Sequence, residues 1–275
     1  MVSATGFLVL FLIGVVSAVF GSIVGLGGGV IIVPSLILLA PRLIGESVDS
    51  AVAVGTSLVV LIFTALSSTL TFVRQRRVDF RSGLLFFVTS GPGAIVGAAV
   101  TGLMSGGRFQ LVFGIFVLCM AILMMVRDRL KPLRVEWRIR RSYTDPKGVV
   151  HTYGYNAPLA LLIGFCVGFV SGLFGIGGGS LFVPLMVLLF RFPPHVATAT
   201  SMFVIFLSAI LGSFSHVAQD NVNWWAVLAL APGALFGGWA GARIAGKLSS
   251  KTLLYVLRAT LLVFSLYLIW RGAVS

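Results

Sequence analysis

The sequence has few charged residues, and acidic ones are the scarcest. Asp, Glu, Lys and Arg together make up 10% of its 275 residues, and Asp and Glu number 7. A soluble globular domain carries about 25% charged residues, so this chain lacks the polar groups that a water-facing surface needs. The shortage excludes a soluble enzyme. The accompanying apolar excess excludes a disordered chain.

Cysteine and histidine are also rare, with 2 and 3 copies. Such a cysteine count excludes a disulfide-stabilised secreted domain. Cys119 and Cys166 lie inside apolar runs, so we interpret them as small packing residues and expect no disulfide. The sequence has no His-Glu-x-x-His motif and no Cys/His cluster, so we expect no metal site, no cofactor and no enzyme. A membrane enzyme and a purely structural membrane scaffold are the alternatives from other classes.

Apolar residues dominate: 58% of the chain is hydrophobic, and the mean hydropathy is +1.08. Runs such as 111–126 are apolar on every face, which is typical of a membrane-spanning helix. The alternation of apolar and polar residues expected of a membrane barrel is absent. The sequence therefore predicts an all-α polytopic protein of the cell (plasma) membrane, surrounded by lipid.

Two of the apolar runs are too long for one ordinary span. The runs are 6–40, 51–73, 83–104, 109–126, 157–190, 196–217, 224–243 and 252–270. The first and the fifth are interrupted by a glycine cluster and a proline. Inside a helix each Gly costs about 1 kcal/mol and each Pro about 3 kcal/mol, so we predict a broken helix in both runs.

The chain contains an internal repeat. Residues 25–34 recur as 175–184, residues 55–58 match 199–202, and 91–94 with Gly97 match 231–234 with Gly237. Three matches in one order predict two homologous halves. We place the first transmembrane repeat at 1–126, a basic cytoplasmic loop at 127–156 and the second transmembrane repeat at 157–275.

The net charge of +13 comes mainly from Lys and Arg between the apolar runs, where membrane proteins keep them on the cytoplasmic side. This placement argues against a nucleic-acid partner. The segment 127–156 holds the densest group of basic residues. We expect a connector beside anionic lipid there, with a regulatory or partner-binding role as the alternative.

The basic residues also indicate how often each long run crosses the membrane. If each long run forms two short half-helices without crossing, only Arg42, Arg108 and Arg271 among the connector residues fall outside. If each long run crosses once, the basic residues are divided less unequally between the two sides of the membrane. The basic connector 74–79 also becomes the uncharged or acidic 218–223 in the second half. We therefore predict an inverted repeat, as in many secondary transporters.

The two glycine motifs, each followed by a proline, and the two Thr-Ser pairs resemble the sulfite exporter TauE/SafE family, also called the toluene-sulfonate uptake permease family. The resemblance covers nearly the whole chain and is weakest in the central basic loop. It implies a membrane permease whose substrate is a small sulfur-containing anion: sulfite, sulfoacetate or a related organosulfonate. It leaves the substrate, the direction of transport and a homo-oligomer open.

The glycine clusters are the first candidate binding residues. The N–H groups at the start of a broken helix lack partners and carry the positive end of the helix dipole, so they can bind an anion. Two such breaks entering from opposite sides would form one site near the midplane. Close helix packing is the alternative. The residues are Gly25, Gly27, Gly28, Gly29, Gly175, Gly177, Gly178 and Gly179.

Four hydroxyl residues stand at equivalent places in the halves: Thr56, Ser57, Thr200 and Ser201. Their hydroxyls can donate to sulfonate oxygens. The alternative is a hydrogen bond back to the helix carbonyl four residues earlier.

Two further residues complete the candidate set. Arg258 is the only basic residue well inside an apolar run, which predicts either contact with the anion or snorkelling to the interface. His216 ends the sixth run; it either donates to substrate or is a satisfied interfacial histidine.

No Asp or Glu lies deep in a predicted span, where cation-coupled carriers often keep one. A membrane that is negative inside favours anion exit by about 2.3 kcal/mol per charge per 100 mV. We therefore expect an exporter driven by the potential or by protons carried on the substrate. Uptake of organosulfonates or small carboxylates, and an anion channel, are the alternative functions.

Overall fold

The computed structural model describes residues 4–43, 48–101, 106–126, 137–144, 150–247 and 250–274. In the first half these form the helices α1 (Ala4–Val24), α2 (Gly29–Leu43), α3 (Ser50–Arg74), α4 (Phe80–Thr101) and α5 (Gly106–Val126). A hairpin follows, made of β1 (Ile139–Thr144) and β2 (Val150–Tyr155). The second half comprises α6 (Ala157–Phe174), α7 (Gly179–Leu188), α8 (Pro194–Ala218), α9 (Trp224–Ala245) and α10 (Ser250–Val274).

The predicted polytopic helical membrane protein is confirmed. Among the described residues, six helices are long and apolar enough to cross a membrane: α1, α3, α4, α6, α8 and α9. Large apolar side chains cover the outside of the bundle, as Val88, Leu162 and Phe214 show with exposures of 61%, 61% and 73%. In water such a surface would aggregate, whereas lipid solvates it.

Both long apolar runs are broken at the glycine clusters, as predicted. α1 ends at Val24 and α2 begins at Gly29, while α6 ends at Phe174 and α7 begins at Gly179. The expectation of two short half-helices in each run is wrong for the first member of each pair. α1 has 21 residues and α6 has 18, enough for a span, whereas α2 has 15 and α7 has 10. The glycines end the helix, and the prolines lie inside α2 and α7.

Glycines permit the closest helix contacts. α4 packs on α6 and α1 packs on α9. Gly93 and Gly97 of α4 face the backbone of Phe165 and Phe169 in α6. Gly233 and Gly237 of α9 face the backbone of α1 in the same way. Stripes of small residues let membrane helices approach to backbone contact, so each half packs its fourth helix on the first helix of the other half.

The equivalent helices α3 and α8 run in opposite directions at the centre of the molecule. Gly55, near the start of α3, faces His216 and Asn221 at the end of α8. At the other end of α3, the N–H of Asp79 donates to Thr200 near the start of α8. The two halves therefore enclose a shared core rather than forming two separate ones.

Part of the segment predicted as a connector is an antiparallel hairpin, in which Ile139 pairs with Tyr155 and Thr144 with Val150. Tyr153 and Tyr155 are buried and pack on the rings of Phe192 and Phe190 after α7. The hairpin is therefore docked on the bundle.

The interpretation of the cysteines as packing residues is wrong. Cys119 and Cys166 are free, as expected, but both are exposed on the outer surface of α5 and α6. Their apolar neighbours in the sequence face lipid as well as the core, so an apolar run did not indicate burial.

Candidate functional site

The two glycine turns meet at the centre of the molecule. The Ser57 hydroxyl of α3 donates to the Gly175 carbonyl at 2.8 Å. The Ser201 hydroxyl of α8 donates to the Gly25 carbonyl at 2.9 Å. Both serines are buried. Each long central helix thus holds the turn that belongs to the other half.

The turns are packed backbone against backbone. A Cβ atom on Gly29 would collide with the Gly175 carbonyl, and one on Gly179 would collide with the Gly25 carbonyl. Gly27 and Gly177 both lie against Leu61 and Ile205 at the middle of α3 and α8. The same contacts therefore pack the two turns closely and bring them together.

The conformation of the turns also requires glycine. Gly27 and Gly177 have φ values of 84° and 76°, in the left-handed region that other residues rarely adopt. This geometry ends α1 and α6 and starts α2 and α7 within a few residues, and each new helix start packs against the turn of the other half.

The positive ends of α2 and α7 therefore converge in the core. Ile32 donates to the Gly28 carbonyl, and Phe182 donates to the Gly178 carbonyl, closing the first turn of each helix. Ile31 and Leu181 donate to the same two carbonyls, and the N–H groups before them have no carbonyl one turn earlier within their own helix. Two helix N-termini are a suitable environment for a small anion, since both dipoles favour negative charge.

The predicted threonines hold the ends of the neighbouring helices. Thr56 accepts a hydrogen bond from the N–H of Asn223 at 2.9 Å, and Thr200 accepts one from the N–H of Asp79 at 3.1 Å. Together with the bonds of Ser57 and Ser201, these hydrogen bonds join the two halves. The sequence did not predict any of these four partners. The hydroxyls that directly touch the glycine turns are those of the two serines.

His216 and Arg258 have different relations to the turns. His216 is 0% exposed and its ring lies beside the Gly172 backbone, one turn before the second glycine cluster. Neither ring nitrogen makes a hydrogen bond of standard geometry to a described residue, and the Gly172 backbone is the polar group beside the ring. Arg258 lies on α10, which packs mainly on α5, and its guanidinium is 5.9 Å from the Tyr255 ring centre. The structure does not bring Arg258 to the turns.

Sequence reasoning missed two serines at the second turn. Ser171 and Ser180 are 2% and 3% exposed, and their hydroxyls have no hydrogen-bond partner within the described residues. Ser171 is next to Gly178, and Ser180 is in the first turn of α7. The only sequence signal was the position of Ser180 in the second glycine motif, where the first motif has Val30.

Comparison with known proteins agrees with this architecture. Residues 10–268 match the family model described as sulfite exporter TauE/SafE. The chain is 46% identical over 271 residues to the "Probable membrane transporter protein YunE" of Bacillus subtilis, covering 98% of this chain and 99% of that protein. It is 29% identical to a "Probable membrane transporter protein" of Xylella fastidiosa, over 90% of both chains.

A more distant relative is the "Probable membrane transporter protein YfcA" of Escherichia coli, 25% identical over 86% of this chain and 79% of that protein. No solved structure matches the chain. The family match spans both glycine turns and the helices α2, α3, α7 and α8 beside them. The chain is a multi-pass membrane transporter and belongs to the TauE/SafE sulfite exporter family.

Proposed function

We propose that this transporter exports small sulfur-containing anions such as sulfite or organosulfonates, bound where the N-termini of α2 and α7 converge. The observation that carries the proposal is the meeting of the two glycine turns, tied together by Ser57 and Ser201. A helix start offers N–H donors and a positive dipole, and two helix starts offer them from two directions.

The unpartnered hydroxyls support an oxyanion in particular. Ser171 and Ser180 carry buried donors for which the described residues provide no acceptor. A buried donor without an acceptor costs about 1–3 kcal/mol, and sulfite or a sulfonate presents three oxygens that accept hydrogen bonds. In this conformation the turns are closed on each other, so binding requires them to separate.

We also propose that the halves lie in the membrane as an inverted repeat, with residues 127–156 on the cytoplasmic side. The antiparallel arrangement of α3 and α8 supports this topology. Basic residues from separate elements gather at one end of the bundle: Arg77 after α3 lies beside Gly246 at the end of α9, and Arg141 of β1 pairs with Asp79. Positive charge is typical of the cytoplasmic end.

The test is sulfite flux in proteoliposomes at imposed membrane potentials, for the intact chain and for Ser171→Ala with Ser180→Ala. Two hydrogen bonds to a charged acceptor, of about 1.5–3 kcal/mol each, predict at least a rise of about a hundredfold in the sulfite concentration for half-maximal flux. Ser265→Ala is the matched control, because Ser265 is equally buried but bonds to Leu262 within α10.

Flux that rises with an inside-negative potential and weakens only in the double variant would support the proposal. Absence of flux for sulfite and for several organosulfonates, from a folded protein, would remove the substrate assignment. Equal effects of Ser265→Ala and the double variant would place the anion elsewhere.

A further inference from the structure

A basic cavity of about 350 Å³ opens at the end of the bundle where α3 ends. One side is the connector between α3 and α4, and the other is the strand β1. Val196, at the start of α8, completes the wall. The charged and polar residues that line it include Arg76, Arg77, Asp79, Arg140, Arg141 and Tyr153.

The charges in this cavity are unbalanced. Four arginines line it, and Asp79 is the one acidic residue among its described lining residues. The Asp79 carboxylate already accepts hydrogen bonds from Ser82 and from the Tyr153 hydroxyl, the latter at 2.9 Å. It lies 3.7 Å from the Arg141 guanidinium. One engaged carboxylate cannot neutralise four guanidinium groups.

Two of the guanidinium groups also have a buried donor, and that of Arg77 lies beside Gly246, which is outside the lining of the cavity. The Nη1 atom of Arg77 and the Nε atom of Arg141 are buried and have no hydrogen-bond partner in the described part of the chain. Buried donors are nearly always satisfied in folded proteins. Guanidinium groups match the oxygens of sulfate and phosphate closely and bind them through paired hydrogen bonds.

The corresponding connector of the second half, residues 218–223, has no basic residue. Arg76 and Asp220 stand at equivalent positions with the same φ of 55°, so the two turns share one backbone shape. The second turn continues with Asn221 where the first has Arg77. The basic cavity is therefore a property of one end of the molecule and of the hairpin docked there.

We propose that this cavity binds a tetrahedral dianionic oxyanion of the sulfate or phosphate type, which bridges the α3–α4 connector and the hairpin. The ligand is either a free ion or a lipid phosphate headgroup. The proposal does not rest on the identity of the transported anion, because the residues that carry it are separate from the glycine turns. Since the ligand contacts both elements, its binding favours the docked hairpin.

The experiment measures binding of radiolabelled sulfate to the full chain purified in an uncharged detergent, with unlabelled inorganic phosphate as competitor. The intact protein should bind one sulfate, and phosphate should displace it. The variant Arg76→Gln with Arg140→Gln should weaken binding at least tenfold. Arg138→Gln, which removes one positive charge from an exposed position just before β1, should bind as the intact protein does.

A second measurement separates the two sources and guards against misfolding. Hydrogen exchange of residues 150–155 should slow when sulfate is added to the intact protein and should not respond in the double variant. If nanodiscs containing phosphatidic acid slow exchange without sulfate, whereas phosphatidylcholine nanodiscs do not, the ligand is a lipid headgroup. If sulfate binds the double variant and Arg138→Gln equally, or binds none of the proteins while neither lipid alters exchange, the proposal is overturned.

Discussion

At the scale of single residues, the glycines of the two turns have two roles that the sequence presented as alternatives. Gly29 and Gly179 permit backbone contact with the opposite turn, which is a packing role. The same contact brings the starts of α2 and α7 together, which is what an anion site requires. Replacing either glycine should therefore destabilise the fold, and a loss of transport would follow from that destabilisation.

We expect Gly29→Ala to destabilise the protein. The new Cβ would meet the Gly175 carbonyl oxygen and the Ile176 Cα, which are backbone atoms held in the opposite turn. Overpacking of this kind costs about 1–3 kcal/mol or more. The measurement is thermal unfolding of the purified protein in one detergent.

Gly212→Ala is the matched control for this change. Its Cβ would approach only Leu58 Cδ1 at 3.3 Å and Ala94 Cβ at 3.5 Å, and Ala is favoured over Gly by about 1 kcal/mol inside a helix. We expect an unfolding temperature equal to or above that of the intact chain. Equal destabilisation by both variants would contradict the close contact between the turns.

The partners of the candidate hydroxyls could not be predicted at this scale. The repeat identified Ser57 and Ser201, but the Gly175 acceptor lies 118 residues from Ser57. Sequence position shows only local acceptors, so the carbonyl four residues earlier was the one protein acceptor considered, as the alternative to substrate oxygens. The actual bonds depend on how the halves interlock.

At the scale of elements, the broken helices were predictable and the hairpin was not. Glycine clusters interrupt a helix by local backbone energetics, which the sequence displays directly. The strands β1 and β2 have 6 residues each and are stabilised by Tyr153 and Tyr155 packing on Phe192 and Phe190. That contact is between distant segments, so no local pattern indicated it.

The third match of the repeat is misaligned for a related reason. Gly14 faces the Leu230 carbonyl and the equivalent Gly164 faces the Phe86 carbonyl, so Phe86 and Leu230 occupy equivalent places in α4 and α9. In that alignment Pro232 lies one helical turn closer to the start of its helix than Pro92 does. Small residues recur every four residues along such packing stripes. The sequences of α4 and α9 therefore match as well with a one-turn shift as they do in the structural alignment.

The docked hairpin depends on Tyr153, and its pH dependence has a definite sign. Burial and the Asp79 carboxylate raise the pKa of Tyr153 above its usual value of about 10. Because the folded pKa is raised, the stabilisation is complete below about pH 10 and is lost as the pH rises through the folded pKa. The protection factors of residues 150–155, which correct for the base-catalysed rise in intrinsic hydrogen exchange, should therefore stay constant up to about pH 10.

Tyr153→Phe should weaken docking at neutral pH, because it removes a hydrogen bond to a charged acceptor worth about 1.5–3 kcal/mol. Exchange of residues 150–155 should then be faster at every pH below about 10. Tyr143→Phe is the control, since the Tyr143 hydroxyl is not hydrogen-bonded to Asp79. A Tyr153→Phe variant with unchanged exchange would show that the aromatic packing alone holds the hairpin.

At the scale of the whole molecule, the helices of each half pack mainly against helices of the other half. α1 packs on α9 as α6 packs on α4, and α3 packs on α8. The repeat in the sequence predicted two similar halves, but not that their helices would be exchanged across one core. An interlocked arrangement explains how two glycine turns 150 residues apart come to share one place, because neither half could bury its own turn alone.

The proposed topology makes a prediction about the two ends of α3. With 25 residues, α3 is about 37 Å long at 1.5 Å per residue, which exceeds the roughly 30 Å hydrocarbon layer. Asp79 and the hairpin lie at one end, and Asn223 with the end of α8 lies at the other. The two ends must therefore face opposite sides of the membrane.

Single cysteines at Val150→Cys and Ala218→Cys test which side each end faces, in a background of Cys119→Ala and Cys166→Ala. Both positions are exposed, and they lie at the hairpin and at the end of α8. A membrane-impermeant maleimide should label Ala218→Cys in intact cells and Val150→Cys only after permeabilisation, because the basic end faces the cytoplasm. Labelling of both from one side would contradict the proposed crossing of α3, whereas exchanged sides would show that the basic end faces outward and would overturn the proposed orientation.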